Sequence, residues 1–294
     1  MTKTRFIFNP RSGHNAKNPH LLDQARAFIK KRGMNADIAL TERPHHASEL
    51  ARRAIDEGCG LIVAIGGDGT LNEVASGVVN TPATFGLIPC GSGNGLGRHL
   101  GIHGSFDHAF NTLIDGRERT IDTGEVNGIP FFNAMGLGFD AEIADRFNRL
   151  TTRGFKSYVR TTLGTLSQYR PHTYTIRAGD IVLNTPAFIL SVANSDQYGN
   201  NCYIAPGAQI DDGQLDLTVI KRAHLFNTVP LAARLFLKKI DGSAAVTRLR
   251  ADHFIIERPA AGLLHTDGEI HQTGPLLEVR VRPRSLKIMV PANR

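Results

Sequence analysis

The chain has 294 residues, enough for two domains that each bury a hydrophobic core. With 41% hydrophobic and 21% charged residues it has the composition of a soluble globular protein, and no apolar run reaches the about 20 residues that span a bilayer. The net charge is +7, but there is no tryptophan and no basic run with interleaved aromatic residues. This pattern disfavours nucleic acid and favours anionic small molecules or anionic lipid headgroups as partners.

The N-terminus and the cysteines indicate where the protein works. The opening MTKTRFIFNPRSG enters a strand pattern directly, without the apolar segment of a signal peptide. Cys59, Cys90 and Cys202 are odd in number and lack CxxC spacing, so we expect reduced thiols that serve packing. We therefore expect a cytoplasmic protein that associates transiently with the inner membrane surface.

The first third of the chain alternates strand and helix patterns, which predicts an α/β domain with a parallel, doubly wound sheet. Apolar, β-branched runs predict the strands, and apolar residues at helical spacing, bounded by Pro or Gly, predict the helices. The strands are predicted at 5–10, 35–41, 61–65 and 84–93, and the helices at 19–32, 45–57, 71–79 and 105–115.

Three glycine- or asparagine-containing turns follow three of these strands, at 9–13, 66–70 and 91–95. Ligands of doubly wound sheets bind at the carboxyl ends of the strands, where bare N–H groups and helix N-termini face phosphate. Asp68 lies between glycines, which suits a site that also handles a divalent cation or a proton. Taken alone, the turn at 66–70 also fits an ordinary connection between a strand and a helix.

From about residue 120 the pattern changes to short alternating segments separated by turns, which predicts a sandwich or barrel. We predict domains at 1–122 and 123–294, with helices at 155–169 and 224–239 inside the second. The pattern leaves open whether the last strand returns to the first domain, and an exposed strand edge would allow a homodimer. The predicted strands are 119–126, 129–137, 173–179, 181–195, 214–222, 253–258 and 276–291.

GGDGT at 66–70, with NPRSG at 9–13 and GSGNGLGRHL at 91–100, resembles the diacylglycerol kinase catalytic domain family, which includes bacterial soluble lipid kinases and sphingosine kinases. The resemblance continues through 121–144, 206–217 and TDGE at 266–269, in the family's order. It implies an NAD kinase- and phosphofructokinase-like α/β domain followed by a β-sandwich, with the active site in the cleft between them. The implied activity is ATP-dependent phosphorylation of a lipid hydroxyl.

The resemblance also implies roles for single residues. Glu269 matches the general base of the family, and Asp68 is the carboxylate of the GGDGT motif. Asp212, with the backbone carbonyls of Gln209 and Gln214, matches the ligands of a Mg²⁺ ion. The nucleotide-binding positions match Asn9, Pro10, Arg11, Ser12, Gly13, Thr41, Gly66, Gly67, Asp68, Gly69, Thr70, Leu71, Asn72 and Ser92.

Three further carboxylates are candidates for support of the site. Asp122 and Asp267 are placed to hold Mg²⁺ or to tune the active site, since hard oxygen ligands suit that ion. Glu142 falls near the position where sphingosine kinases carry a headgroup-binding aspartate, which would suit an amino-alcohol acceptor.

Two other functions fit parts of the same pattern. NAD kinases share the GGDGT segment, although GSGNGL, DDGQLD and TDGE fit lipid kinases better. A regulator that binds nucleotide or lipid without turnover is the second alternative, and the presence of Asp68, Asp212 and Glu269 argues against it. The sequence does not name the lipid.

Overall fold

The computed structural model describes residues 2–12, 15, 18, 20–148, 164–165, 169–221 and 225–293. Contacts divide the chain into a first unit, Met1–Ile121 with Arg284–Arg294, and a second unit, Asp122–Pro283. The helix predicted at 155–169 lies almost wholly outside the described residues. No helix in the described part of the chain is long and apolar enough to cross a membrane.

The first unit alternates strands and helices as the sequence predicts, and each helix ends where the sequence supplies a stop. The first helix, Leu21–Arg32, ends at Gly33, whose left-handed φ of 60° costs glycine no strain. Its elements are β1 (Thr4–Phe8), α1 (Leu21–Arg32), β2 (Ala36–Leu40), α2 (His46–Asp56), β3 (Leu61–Gly66), α3 (Asp68–Val78), β4 (Thr84–Pro89), α4 (Gly95–His99) and α5 (Phe106–Asp115).

The sheet of the first unit is parallel, with strand order β2-β1-β3-β4. Strand β3 is buried along its whole length, which explains its continuous apolar run. The connection after β1 runs outward to β2, whereas the connection after β3 runs the other way to β4. The sheet therefore has its topological switch point between β1 and β3, where doubly wound folds bind ligands.

Two details of the first unit differ from the prediction. Helix α3 begins at Asp68 and includes the motif residues Gly69 and Thr70, which we expected to form a turn. The short helix α4 was not predicted, because four glycines in GSGNGLG favour a loop. Buried Gly95, Leu96 and Gly97 show that tertiary packing overrides this weak propensity.

The second unit is mainly β-structure, as predicted. Strand β5 (Arg117–Val126) leads into it, and the last strand, β16 (Leu276–Val290), leads out of it. Between them lie β6 (Ile129–Phe131), β7 (Ala134–Gly138), α6 (Phe139–Asn148), β8 (His172–Ala178), β9 (Ile181–Ala187), β10 (Ile189–Ala193), β11 (Leu215–Ile220), α7 (Leu225–Phe236), β12 (Val246–Ala251), β13 (His253–Glu257), β14 (Gly262–Thr266) and β15 (Glu269–Thr273).

The second unit is a sandwich of two antiparallel sheets. One has the order β12-β11-β10-β7-β14-β15, and the other contains β13, β8 and β9 beside the first part of β16. Apolar side chains from both sheets form one buried cluster, which includes Phe131, Leu137, Val192, Phe254 and Val279. The predicted fold class, an α/β domain followed by a β-sandwich, is confirmed.

The final part of β16 lies in the first unit, where Lys287 and Ile288 pair in parallel with Thr84 and Phe85 of β4. Leu286, Ile288 and Val290 are buried there. The strand thus adds a further parallel strand to the first sheet, an outcome that the sequence pattern left open.

Candidate active site

The turn after β3 is built for a close approach of the backbone. A Cβ atom at Gly66 would lie 2.6 Å from the Cβ atom of Thr70, so a larger residue cannot be accommodated there without a shift. Gly67 is the N-cap of α3 in an extended conformation, and the helix begins at Asp68. The first N–H groups of a helix have no acceptor within the helix, so this helix start suits an anion.

The carboxylate of Asp68 joins this turn to the turn after β4. Its two oxygens accept the N–H groups of Asn94, at 3.0 Å, and Gly95, at 3.2 Å. Burial raises the pKa of Asp68, and the N–H donors oppose that shift. Asp68 is therefore a structural link between two glycine turns as well as the candidate for handling phosphate or metal.

The second glycine turn packs directly on the first. A Cβ atom at Gly91 would lie 3.0 Å from the Cα atom of Gly67, and one at Gly93 would lie 3.0 Å from Oδ2 of Asp68. Asn94 adopts a left-handed φ of 50°, and its side chain closes the turn through hydrogen bonds of 2.8 Å to both N–H and C=O of Gly91. Because a Cβ atom at Gly91 or Gly93 would come this close to Gly67 or Asp68, only glycine at these two positions permits the contact between the two turns.

The turn after β1 joins the same cluster. Nδ2 of Asn9 donates to Oγ1 of Thr70 at 3.1 Å, and Oδ1 of Asn9 accepts the N–H of Arg11 at 2.9 Å. Within the described part of the chain, buried Oγ of Ser12 and Oδ1 of Asn15 have no hydrogen-bond partner. Three predicted turns thus meet at the switch point of the sheet.

The remaining predicted nucleotide residues divide into exposed and buried ones. Pro10, Arg11, Gly69 and Ser92 are exposed, so their side chains or backbone are accessible. Thr41, Thr70, Leu71 and Asn72 are buried; Leu71 belongs to the core and offers a ligand only its backbone. Gly13 lies outside the described residues.

In the second unit, TDGE forms a tight hairpin between β14 and β15. Thr266 pairs with Glu269, and Asp267 and Gly268 have positive φ angles of 51° and 89°. Positive φ at both central residues is typical of a type I′ turn, which favours the Asp-Gly pair. Glu269 is half-buried at the start of β15.

Asp267 uses its carboxylate for the backbone of a neighbouring segment. Oδ2 accepts the N–H of Phe132 at 2.8 Å, and Oδ1 accepts the N–H groups of Asn133 and Ala134, each at 2.9 Å. Such a set of N–H donors fixes the position of the hairpin. The predicted roles of Asp267 in metal binding or site tuning stay predictions.

Asp122 and the DDG turn also lie together in the second unit. Oδ2 of buried Asp122 accepts the N–H of Gly213 at 2.7 Å, and Oδ1 of Asp212 accepts the N–H of Gln214 at 3.0 Å. Oδ2 of Asp212 is bound by the guanidinium of Arg250. A magnesium ion at this turn would therefore compete with Arg250 for the carboxylate of Asp212.

The metal assignment of Gln209, Asp212 and Gln214 therefore stays a prediction. Among the residues that the structure describes, no three His, Cys, Asp or Glu side chains converge as a metal site. Glu142 lies on α6, where Nε of Arg146 donates to its carboxylate at 2.8 Å, so a headgroup would have to share it with that arginine.

Sequence reasoning missed several residues that shape the site. Asn94 closes the second glycine turn, Arg250 binds Asp212, and Glu73 accepts the N–H groups of His45 and Ala47 at the start of α2. The role of Asn94 could have been predicted from the sequence, because in GSGNG it is the one non-glycine residue that readily adopts a left-handed conformation. The contacts of Glu73 and Arg250 join distant parts of the chain and leave no local pattern.

Comparison with known proteins agrees with this architecture. The profile of the "Diacylglycerol kinase catalytic domain" matches residues 3–126, and that of the "YegS C-terminal NAD kinase beta sandwich-like domain" matches residues 133–290. Together the two profiles cover nearly the whole chain and place it in the class of kinases. The chain belongs to the diacylglycerol kinase catalytic domain family and carries the YegS-type C-terminal domain, which confirms the resemblance seen in its motifs.

Curated relatives match over most of their length. A "Diacylglycerol kinase" of Bacillus subtilis (strain 168) is 29% identical and covers 92% of this chain and 90% of its own. A "Diacylglycerol kinase" of Mycobacterium tuberculosis is 28% identical, with coverages of 99% and 96%. A crystal structure from Bacillus anthracis str. Sterne, described as a diacylglycerol kinase, has the same fold: its TM-score is 0.73 at 19% identity, over 98% of this chain and 96% of that one.

Proposed function

We propose that the protein is an ATP-dependent lipid kinase that transfers the γ-phosphoryl group of ATP to a lipid hydroxyl. The observation that carries this proposal is the cluster of glycine turns joined by Asp68 at the switch point of the first sheet. The acceptor is diacylglycerol, a sphingoid base or a related lipid, because relatives over nearly the whole chain are named diacylglycerol kinases. The reaction would belong to phospholipid metabolism.

The first unit supplies the nucleotide site in this proposal. The N-terminus of α3 and the glycine turns offer N–H groups to phosphate oxygens, and Thr70 and Asn9 border the same turn. Phosphoryl transfer depends on positioning and on neutralisation of the phosphate charges, and Mg²⁺ bound with ATP would supply that neutralisation. Asp68 lies where it can orient the phosphates or their metal, and its link to Asn94 and Gly95 keeps the turn rigid.

The second unit supplies the general base. Glu269 lies at the start of β15 directly after a two-residue turn, so its backbone is held by the hairpin. A base at this position would accept the proton of the lipid hydroxyl as that oxygen attacks the γ-phosphorus. Proton transfer by a positioned carboxylate contributes about 10²–10⁴-fold to a rate.

The proposed partner is therefore a lipid presented by a membrane surface, with transient association and no nucleic acid. Such an enzyme would act from the cytoplasm on the inner membrane. Homodimer formation through an exposed strand edge stays a prediction.

The proposal is tested by transfer of labelled γ-phosphate from ATP to a panel of lipids in mixed micelles, with and without Mg²⁺. We expect a labelled lipid product, and a fall in kcat of about 10²–10⁴-fold for Glu269→Gln with little change in the KM for ATP. Glu257→Gln is the matched control, because that exposed glutamate ends β13 and pairs with Arg177.

Other outcomes identify the alternatives. Labelled NADP from added NAD, without labelled lipid, would make the protein an NAD kinase. Nucleotide binding without transfer to any acceptor would indicate a regulator. Full activity of Glu269→Gln would remove Glu269 from the base role and leave Asp68 as the next candidate.

A further inference from the structure

A buried polar group in the second unit lies directly beneath the TDGE hairpin and has no part in the function proposed above. It consists of Asp140 at the start of α6, Tyr198, and His265 on β14. Asp140 is 9% exposed and His265 is 4% exposed. Buried polar groups cost free energy unless all are paired, so such a group needs a reason.

One oxygen of Asp140 holds this group together. Oδ2 accepts from Nε2 of His265 at 2.9 Å and also from the hydroxyl of Tyr198. Burial lowers the pKa of His265, but the charge and hydrogen bond of Asp140 and the charge of Asp267 outweigh burial and raise it overall. Burial, together with Asp140, raises the pKa of Tyr198 and keeps its hydroxyl a donor.

Strand β7, which lies next to β14, leaves space for the contact between Asp140 and His265. Gly136 of β7 is the cross-strand partner of His265, and a Cβ atom there would lie 2.3 Å from both Oδ2 of Asp140 and Nε2 of His265. A side chain at this position would displace one of the two groups. The glycine therefore makes the Asp140–His265 contact possible.

The other ring nitrogen of His265 reaches the hairpin. Nδ1 accepts the N–H of Gly268, the residue before Glu269, at 3.4 Å. The raised pKa of His265 means that its imidazole becomes neutral only at a higher pH than a free histidine. In that neutral form one nitrogen donates and the other accepts, so donation from Nε2 to Asp140 leaves Nδ1 as the acceptor for Gly268. Asp140 thus selects the tautomer that can bind the hairpin.

We propose that His265, oriented by Asp140, is a positioning residue that holds the Gly268–Glu269 peptide so that the Glu269 carboxylate keeps its reactive placement. This inference rests on the proposed role of Glu269 as base. Asp267 anchors the same hairpin from its other side through Phe132, Asn133 and Ala134, and Thr266 contacts Nε2 of His271 at 2.7 Å. His265 adds a side-chain contact at Gly268, the residue directly before Glu269.

Two isosteric substitutions separate the two contacts of His265. In His265→Asn the side-chain oxygen replaces Nδ1 and still accepts from Gly268, whereas in His265→Gln the amide replaces Nε2 and still donates to Asp140.

We expect His265→Gln to lower kcat about 10- to 100-fold with the KM for ATP unchanged, since small misplacements at a reacting group cost about that much. His265→Asn should restore most of kcat. His253→Gln is the control, because His253 contacts Glu278 on an exposed strand.

Amide exchange gives a readout that does not need activity. We expect the Gly268 amide to exchange about fivefold faster in His265→Gln than in the wild type or in His265→Asn, which is the effect of losing one net hydrogen bond. Amide exchange tests the contact between His265 and Gly268 even if the wild type phosphorylates no lipid. A failure of the proposed kinase function can therefore be told apart from a failure of this inference.

Nitrogen chemical shifts of the wild-type histidines test the tautomer without any substitution. At a pH above the raised pKa of His265, where its imidazole is neutral, we expect a proton on Nε2 and none on Nδ1. A proton on Nδ1 would overturn the proposal, because that nitrogen could not accept from Gly268. Equal losses of kcat in the Asn and Gln variants, or unchanged Gly268 exchange in His265→Gln, would also overturn it.

Discussion

Asp68 and Asp267 use their carboxylates to accept backbone N–H groups from segments far away in the sequence. Asp68 accepts from Asn94 and Gly95, and Asp267 from three residues that begin at Phe132. Hydrogen bonds to an ionised acceptor are about twice as strong as neutral ones, so each carboxylate fixes the turn around it. At both turns of the candidate site, an acidic residue therefore stabilises the local geometry before any ligand binds.

Arg250 leads to a prediction about magnesium. Its guanidinium binds Oδ2 of Asp212, so a cation at the DDG turn must displace it. Both side chains are partly exposed, and such an ion pair is worth up to about 1 kcal/mol, or about fivefold in affinity. We expect Arg250→Gln to bind Mg²⁺ up to about fivefold more tightly than the wild type, measured by calorimetric titration of the nucleotide-free protein.

The double variant Arg250→Gln with Asp212→Asn is the control, and it should lose the added affinity. Equal Mg²⁺ affinities of the wild type and Arg250→Gln would show that Arg250 does not compete with the ion. Arg248 stays in place in these variants and keeps its hydrogen bonds to Asp216 and Asp241, so the neighbouring strand is preserved.

The residue types of the site are visible in the sequence, but their partners are not. The glycines at 66–69 and the TDGE segment are local patterns: the first predicts a turn, and the second matches a motif of the family. The links from Asp68 to Asn94, from Asp212 to Arg250 and from His265 to Asp140 join residues 26, 38 and 125 positions apart. Only the folded sheets bring these pairs together.

At the scale of elements, the contact between the two glycine turns leads to a second prediction. A methyl group at Gly91 would lie 3.0 Å from Cα of Gly67 and 2.8 Å from Oδ1 of Asn94, so the turns must move apart. We expect Gly91→Ala to destabilise the first unit by about 1–3 kcal/mol and to weaken ATP binding about tenfold. Gly274→Ala is the control, since a Cβ atom there meets no atom within 4 Å in the described structure. Unchanged ATP affinity in Gly91→Ala would contradict the role of this contact.

The C-terminal part of β16 leads to a third prediction. Ile288 is fully buried and pairs with Phe85, so its side chain belongs to the core of the first unit. Ile288→Ala should lower the free energy of unfolding by about 2–5 kcal/mol, seen as a lower urea midpoint for the first unit. Ile181→Ala, at a position 51% exposed on β9, should change it by less than about 1 kcal/mol. Similar midpoints for both variants would argue against a buried role for the last strand.

Helices and strands with a clear pattern of apolar residues were predicted well, whereas short elements with mixed composition were not. The continuous apolar run of β3 and the helix of α1 ending at Gly33 carry clear local patterns. Strand β12 contains two arginines, and β15 begins at the proposed base, so neither shows the alternation expected of a half-buried strand. Helix α6 follows β7 without a break, and no polar turn separates them in the sequence.

At the scale of the whole molecule, the net charge and one exposed apolar segment both point to a membrane surface. The chain carries +7 charges, and anionic lipid attracts basic residues by about 1 kcal/mol each when they lie near the surface. Phe236 at the end of α7 is 44% exposed and Leu237 is 64% exposed, and Lys238 and Lys239 follow them. The apolar side chains and the lysines thus form a segment at 236–239 that can contact lipid.

We expect the protein to sediment with phosphatidylglycerol vesicles at low salt and to be largely released at about 1 M salt, where the screening length is about 3 Å. Phe236→Ser with Leu237→Ser should weaken binding at least about tenfold, because burying each such side chain is worth about 1.5–3 kcal/mol. Ile181→Ser with Val182→Ser removes two equally exposed apolar side chains from β9 and serves as the control. A larger loss of vesicle binding in the β9 variant would assign the lipid contact to β9 instead. Equal binding of the wild type and both double variants would show that charge alone brings the protein to the membrane.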